Sequence, residues 1–269
     1  MEQILLPSTI DFLETDNPNL GKVVISPCTQ GYGTTLGNAL RRVLLSSLPG
    51  SAVESVKING VQHEFSAIEG VKEDVVEIIL NLKQLAVKNY SDEPVMLSIS
   101  KKGKGDVTAK DFVKNANVEI ANPELKIATI TGDITLEMEV KIGHGRGYVP
   151  VEEKDGKNID LGTILIDSLY TPIRDVGYRV ELTRVGDVTD FEKLTLNIET
   201  NGTITPRESL QQATKYLMDH FALILDAAGG ENMAVAKEEV EEEALEVTEE
   251  AVAVEEEKPK KRTRKKKED

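Results

Sequence analysis

The sequence contains one cysteine, Cys28, among its 269 residues. A single cysteine excludes an internal disulfide and a cysteine-rich zinc site, and it fits a reducing cytoplasm. The three histidines, His63, His144 and His220, lack the spacing of paired metal ligands. We therefore expect no metal ion and no cofactor in this chain.

Several functional signatures are also missing. The start MEQILLPST has no secretory signal pattern, and no apolar run approaches the ~18 residues of a membrane helix. There is no GxxxxGK[ST] loop, no GxGxxG between a strand and a helix, and no clustered Asp-x-Asp-x-Asp for catalytic magnesium. These absences predict a soluble, cytoplasmic chain without catalytic residues of its own.

Basic charge is scarce, because the formal net charge is −15. Residues 231–269 hold 14 acidic and 9 basic side chains, which gives a net charge of −5. Residues 1–230 hold the remaining 33 acidic and 23 basic side chains, which gives −10. An acidic body argues against binding nucleic acid along a broad face. The 39% apolar content and the length suffice for one large or two small domains.

The segment 31–50, GYGTTLGNALRRVLLSSLPG, contains the clearest helix pattern in the first half of the chain. Glycines 31, 33 and 37 lead into a helix from about 35 to 48, which Pro49-Gly50 ends. Its apolar residues recur at helical spacing: Leu36, Leu40, Val43, Leu44 and Leu48. Arg41 and Arg42 point about 100° apart, so at least one of them leaves the apolar face. On the pattern alone, an ordinary core helix with two solvated arginines is the favoured interpretation.

The middle of the chain is predicted to be mostly β-structure. A strand is expected at 22–26, a hairpin at 53–58 and 61–65 around Asn59-Gly60, and a second helix from about Val71 to Leu85. Alternating residues predict antiparallel strands between 95 and 142. A glycine-rich loop at 143–147 and paired strands at 178–184 and 193–200 follow. The loop could hold an anion, although its glycines more commonly serve a tight turn.

A third helix and a charged tail end the sequence. Thr205, Pro206 and Glu208 form a capping box, and Gly229-Gly230 ends the helix. Its apolar stripe is Leu210, Ala213, Leu217, Phe221 and Leu225. Eleven glutamates between 238 and 257 precede eight basic residues in 258–267, which predicts a disordered tail at 231–269. This tail either keeps the chain soluble or binds promoter DNA weakly and without sequence specificity.

Two classes of function fit these patterns. The first is a non-catalytic assembly subunit, favoured by strong helix stripes without an obvious partner within the chain. The second is a small stand-alone nucleotide-binding enzyme that uses the glycine-rich loops.

Four segments resemble a known family in the order in which that family has them. They are 31–50, EFSAIEGVKEDVVEIILNLK at 64–83, GRGYVP at 145–150 and ETNGTITPRESLQQA at 199–213. Together they resemble the alpha subunit of bacterial DNA-directed RNA polymerase. The resemblance implies an α+β fold in which a discontinuous dimerisation subdomain, 1–50 with 165–230, carries an inserted β-rich subdomain, 51–164. It also implies a bacterial, nucleoid-associated protein.

This resemblance implies partners and contact residues as well. Alpha subunits form homodimers that scaffold the beta and beta-prime subunits of a nucleotidyltransferase, whose catalytic magnesium ions bind in beta-prime. The dimer contact would use the apolar stripes of the helices at 35–48 and 206–226. Positions that resemble family contacts with beta and beta-prime are Arg42, Leu45, Lys83 and Ile166. Alpha subunits usually continue into a helical carboxy-terminal domain that contacts promoter DNA, and from the charged tail seen here we do not expect that role.

Overall fold

The computed structural model describes residues 5–154, 160–186 and 188–229. Within them lie three α-helices: α1 Tyr32–Ser46, α2 Val75–Lys83 and α3 Pro206–Ala227. The strands are β1 Thr9–Glu14, β2 Leu20–Cys28, β3 Pro49–Ile58, β4 Val87–Asn89, β5 Val95–Lys102, β6 Gly105–Thr108, β7 Val118–Ile120, β8 Lys126–Ile130, β9 Thr135–Arg146, β10 Tyr148–Val149, β11 Thr163–Leu165, β12 Ser168–Leu169, β13 Ile173–Val185 and β14 Val188–Thr200. The predicted α+β class is confirmed.

The first sheet combines strands from both ends of the described chain. Its order is β1-β2-β14-β13, and every pairing is antiparallel. Ile25 lies opposite Leu194 and Val23 opposite Leu196, and all four side chains are buried. The strands predicted at 22–26, 178–184 and 193–200 are confirmed within β2, β13 and β14.

Helix α1 packs on this first sheet against β13 and β14. A Cβ atom at Gly37 would lie 2.7 Å from the Tyr178 ring and 3.0 Å from Leu194 Cδ1, so the close approach of helix and sheet requires a residue without a side chain. Leu40 and Leu44 are buried on the same helix. The predicted helix is confirmed, although it begins at Tyr32 and ends at Ser46.

The second sheet is built from the middle of the chain. Its order is β5-β9-β3-β4-β7, and β11 also pairs with β3. Helix α2 contributes Ile78 and Leu82 to the same apolar core as Val56 and Met138 of the sheet. Two short pairs, β6 with β8 and β10 with β12, are separate. The antiparallel β region predicted between 95 and 142 is confirmed.

The predicted hairpin around Asn59-Gly60 is wrong. Gly60 does adopt a positive φ of 83° in a turn, but residues 61–65 form no strand. Strand β3 pairs instead with β9, so that Ile58 lies opposite Met138. Because Val61 is buried in the core, its apolar character reflects packing rather than strand pairing.

Helix α2 begins at Val75, four residues later than predicted. Val71 forms a β-bridge with Ile130, and the Lys72 amide donates to the Thr129 carbonyl at 2.9 Å. The Asp74 carboxylate then caps the helix by accepting from the Glu77 amide at 2.7 Å. These long-range bonds hold residues 71–73 beside β8, so the helix begins only after them.

Residues 143–146 belong to strand β9, so the predicted glycine-rich loop is wrong for this part. A Cβ atom at Gly143 would overlap the Glu54 carboxylate, and one at Gly145 would lie 2.6 Å from the Tyr170 ring. Only Gly147, with a φ of 62°, makes the turn into β10. The glycines at 143 and 145 therefore serve close packing across the strand rather than a loop.

The predicted start of α3 is confirmed. Glu208 Oε2 accepts from the Thr205 amide at 3.1 Å, while Thr205 Oγ1 accepts from the Glu208 amide at 3.2 Å. These reciprocal bonds satisfy two amides. The hydrogen bonds that the Glu208 carboxylate accepts from the Thr205 amide and hydroxyl hold the pKa of Glu208 below its usual value. The helix ends at Ala227, two residues before Gly229 with its φ of 77°.

Contacts divide the chain into two units, one through Lys215 and one from Tyr216. In the second unit, helical residues run to Ala227. The tail predicted at 231–269 lies outside the described residues. Among the residues that are described, no helix is both long and apolar enough to cross a membrane.

Candidate assembly surfaces

The amino-terminal end of α1 is fixed by a carboxylate from the first sheet. Glu192 accepts hydrogen bonds from the amides of Gly31 and Gly33, both at 2.9 Å, and its residue is 9% exposed. The carboxylate satisfies two of the free amides that every helix start presents, and its charge complements the helix dipole. The sequence pattern did not identify Glu192, because the contact joins residues about 160 positions apart.

The two neighbouring arginines of α1 have different surroundings. Arg41 Nε donates to the Val176 carbonyl at 2.9 Å and so ties α1 to strand β13. Arg42 is exposed, and its guanidinium has no hydrogen bond or ion pair among the described residues. Arg42 is therefore available to a second surface, whereas Arg41 is used within the chain.

The apolar stripe of α1 lies mostly inside the chain. Leu44 and Leu48 are fully buried and Leu40 is 7% exposed, while Leu36 and Val43 are half-buried. The burial follows from packing on the first sheet. Of the five α1 residues expected in the dimer contact, Leu36 and Val43 have the most surface left for a second chain.

Within the first unit, the stripe of α3 begins buried: Leu210 is 7% exposed and Ala213 is fully buried. In the second unit, Leu217 is half-buried, and Phe221 and Leu225 are 61% and 43% exposed.

Two further apolar residues of the second unit are exposed, Met218 at 61% and Ile224 at 64%. They lie within about 60° of Phe221 around the helix and so widen the stripe. The predicted stripe missed both, although their helical spacing was a usable signal.

The four residues expected to contact large subunits are placed differently. Lys83 Nζ lies 2.7 Å from Asp167 Oδ2, in an ion pair whose side chains are 32% and 28% exposed. Leu45 is half-buried beside exposed Arg42. Ile166 is 1% exposed and packs in the core of the second sheet. Nothing in the sequence pattern pointed to Asp167.

Asp167 connects three parts of the chain. Besides Lys83 of α2, it accepts from the Val151 amide at 3.0 Å through Oδ1. The hydrogen bond from Lys83 and the bond from Val151 hold the pKa of the Asp167 carboxyl below its usual 3.8. Asp167 thus fixes the Lys83 ammonium beside the residues that follow GRGYVP.

We expect the Asp167 ion pair to stabilise the fold in a pH-dependent way. The lowered folded-state pKa means that the stabilisation is fully present above pH 3.8 and is lost as pH falls through the folded value. At neutral pH, Asp167→Asn should cost at most about 1 kcal/mol, because the pair is partly exposed. Urea unfolding between pH 7 and pH 3 should show the two proteins converging on acidification. Exposed Asp160→Asn is the control, and a difference that grows toward low pH would contradict the assignment.

The glycines considered for anion binding already have other roles. The amides of Gly31 and Gly33 donate to Glu192, and Gly143 and Gly145 are paired and closely packed in β9. A carboxylate at the start of α1 also repels a phosphate. In the described ranges no cluster of three or more His, Cys, Asp or Glu side chains is arranged to hold a metal ion.

Comparison with known proteins agrees with this architecture. Residues 56–171, which include most of the second sheet, match the family described as "RNA polymerase Rpb3/RpoA insert domain". The chain is 47% identical over 238 residues to the "DNA-directed RNA polymerase subunit alpha" of Macrococcus caseolyticus, covering 87% of this chain and 76% of that protein. It is 48% identical over 232 residues to the protein of that name from Alkaliphilus oremlandii, and the match covers 85% of this chain and 73% of that protein.

A third relative, from Staphylococcus saprophyticus and with the same name, is 48% identical over 234 residues, and the match covers 74% of that protein. Identity of this level over most of both chains shows common family membership. The chain therefore belongs to the family of DNA-directed RNA polymerase alpha subunits.

Proposed function

We propose that this chain is a non-catalytic subunit that dimerises and scaffolds the beta and beta-prime subunits of DNA-directed RNA polymerase. Its relatives are named as the alpha subunit of that enzyme. The observation that carries the proposal is the exposed apolar stripe on α3, centred on Phe221, because such a stripe needs a partner to exclude water. The magnesium ions of catalysis belong, in this proposal, to beta-prime.

We also propose the division into a dimerisation subdomain, 1–50 with 165–230, and an inserted subdomain, 51–164. The first sheet supports it, because β1 and β2 precede the insertion while β13 and β14 follow it. The second sheet supports it too, because its strands lie between 49 and 165. A two-fold axis beside α3 would bring the stripes of two copies together.

Contact with the large subunits is proposed for Arg42, Leu45 and Lys83. Arg42 offers planar, bidentate hydrogen bonding to a carboxylate, and Leu45 adds apolar surface beside it. Ile166 is buried, so we propose that it acts indirectly, by fixing the position of its neighbour Asp167. Promoter DNA would be bound at most weakly, through the basic part of the tail.

The two arginines provide a matched test. Arg42→Ala should leave dimer mass and melting temperature unchanged and weaken beta binding about tenfold or more, because an exposed arginine at an interface is commonly a hot spot. Arg41→Ala should instead destabilise the fold by about 1 kcal/mol, through loss of its bond to Val176. Binding is measured with purified beta subunit and stability by urea unfolding.

Beta binding by the Arg42→Ala dimer at wild-type affinity would contradict the role of Arg42. Arg42→Lys separates charge from geometry, because lysine keeps the charge and loses the bidentate fork. Intermediate binding by this variant is the expected result.

A further inference from the structure

The described residues include two Asn-Gly pairs, at 59–60 and at 201–202. Such pairs are chemically labile, because glycine has no Cβ atom to hinder attack of its amide nitrogen on the asparagine side chain. In sequence the two pairs are equivalent, since each directly follows a strand, β3 or β14. Their surroundings in the structure differ, and this difference separates a reactive pair from a protected one.

Asn59 and Gly60 form the centre of a type II turn. The Val61 amide donates to the Ile58 carbonyl at 3.1 Å across the turn, and Gly60 has a φ of 83°. Both central residues are exposed, and they line a surface cleft with a volume of about 800 Å³. Water therefore reaches the Asn59 side chain.

The peptide group between Asn59 and Gly60 can rotate within the turn. Neither its carbonyl oxygen nor its amide has a hydrogen-bond partner among the residues that the structure describes. Rotation about Asn59 ψ and Gly60 φ leaves the bond across the turn intact, and glycine tolerates a wide range of φ. One exposed bond restrains the side chain, since Asn59 Nδ2 donates to Glu137 Oε2 at 3.2 Å. The Gly60 nitrogen can thus approach Asn59 Cγ without any change in the sheet.

The second pair is held at both residues. Asn201 Oδ1 accepts from the Thr203 amide at 3.0 Å and from Thr203 Oγ1 at 2.6 Å. A Cβ atom at Gly202 would lie 3.4 Å from the Asn19 side chain and 3.5 Å from Ala121, so these neighbours limit rotation of Gly202. Attack on Asn201 Cγ would first require the loss of both bonds from Thr203.

We propose that Asn59 is a site of self-modification, at which the Gly60 amide nitrogen displaces the side-chain amide. The bond from the Gly60 nitrogen to Asn59 Cγ forms and the Cγ–Nδ2 bond breaks. Ammonia leaves, carrying the proton of the Gly60 amide, and a cyclic succinimide remains. Water then opens this ring at either carbonyl, which gives aspartate or isoaspartate at position 59. Water is the co-reactant, and no atom is oxidised or reduced.

Both products alter the edge of the second sheet. Each replaces the hydrogen bond between Asn59 and Glu137 by a negative charge beside a carboxylate, and like charges repel. Isoaspartate also lengthens the backbone between Ile58 and Val61, whose side chains are buried in the core. The altered form accumulates with the age of each molecule, without an enzyme or a partner subunit.

The test incubates the full-length protein at mildly alkaline pH in water labelled with heavy oxygen, followed by mass spectrometry of tryptic peptides. Cleavage after lysine and arginine places Asn59 in the peptide 58–72 and Asn201 in the peptide 194–207. Asn59 should convert about tenfold or more faster than Asn201, because Asn201 must lose two hydrogen bonds before it reacts. The converted peptide 58–72 should contain heavy oxygen and separate into aspartate and isoaspartate forms.

Two controls assign the reaction to Asn59 and to the fold. Asn59→Gln keeps the amide on a longer side chain, so that attack would have to close a larger and less favourable ring. Conversion at position 59 should then stop. In urea both pairs should convert at similar rates, because the contacts that distinguish them are lost.

Equal conversion of the two pairs in the folded protein would overturn the proposal. An intact Asn59 after an interval in which the urea-unfolded chain has converted would overturn it as well. Formation of aspartate without isoaspartate would also count against it, because direct hydrolysis of the side chain does not involve Gly60. Unchanged circular dichroism during the incubation shows that the folded protein is the reactant.

Discussion

Phe221→Glu should convert the proposed homodimer into monomers at micromolar concentration. Phe221 is 61% exposed on α3, and Leu217, Met218, Ile224 and Leu225 surround it on the helix surface. Burying a phenylalanine contributes ~1.5 to 3 kcal/mol, and an unpaired carboxylate in the same place adds a desolvation cost. We expect the dimer dissociation constant to rise at least about 100-fold.

Analytical ultracentrifugation across a range of protein concentrations measures this change. Asp219→Lys is the control, because position 219 lies about 160° around the helix from Phe221 and the variant changes the charge by two units. The control should remain dimeric. A Phe221→Glu protein with the wild-type mass at every concentration would show that the α3 stripe is not the dimer contact.

Leu44→Asp should abolish the cooperative fold or lower its melting temperature by about 10 °C or more. Leu44 is fully buried where α1 packs on the first sheet. A carboxylate there would lose its hydration without gaining a partner, which costs several kcal/mol, and each kcal/mol corresponds to about 2–4 °C for a chain of this size. The effect arises within one chain and does not depend on dimerisation.

Asn38→Asp places the same charge on the same helix at an exposed position. This control should melt close to wild type. Thermal unfolding followed by circular dichroism compares the three proteins. A Leu44→Asp protein that melts with the control would contradict the burial of Leu44 and return it to the candidates for intersubunit contact.

The sequence predicted best the elements whose signals are local. The start of α3 is determined by Thr205 and Glu208, three residues apart, and the structure has both reciprocal hydrogen bonds. By contrast, Asn59-Gly60 indicated a turn correctly but could not indicate the pairing partner of β3. That partner, β9, is about 80 residues away, since Ile58 lies opposite Met138.

Glycine was the residue most easily misinterpreted. Gly143 and Gly145 read as a loop, yet both lie in β9, where Glu54 and Tyr170 fill the space that side chains would take. The reason for each glycine is a neighbour distant in sequence, and no local pattern contains that information.

For the candidate surfaces, the sequence indicated which helix faces are apolar but not which of their residues stay exposed. Helical spacing identifies an apolar stripe but does not say what covers it, so Leu44 and Phe221 appeared equivalent. In the structure, the first sheet buries Leu44, while Phe221 stays exposed. Likewise, only the bond to Val176 distinguishes Arg41 from Arg42.

The most direct test is the composition of the complex that a tagged copy of this chain forms in its own cells. Co-expression of tagged and untagged copies, followed by purification and native mass spectrometry, counts the chains. We expect two copies of this chain with one beta and one beta-prime subunit, and the untagged copy present beside the tagged one. A complex with a single copy, or a chain recovered without either large subunit, would contradict this expectation.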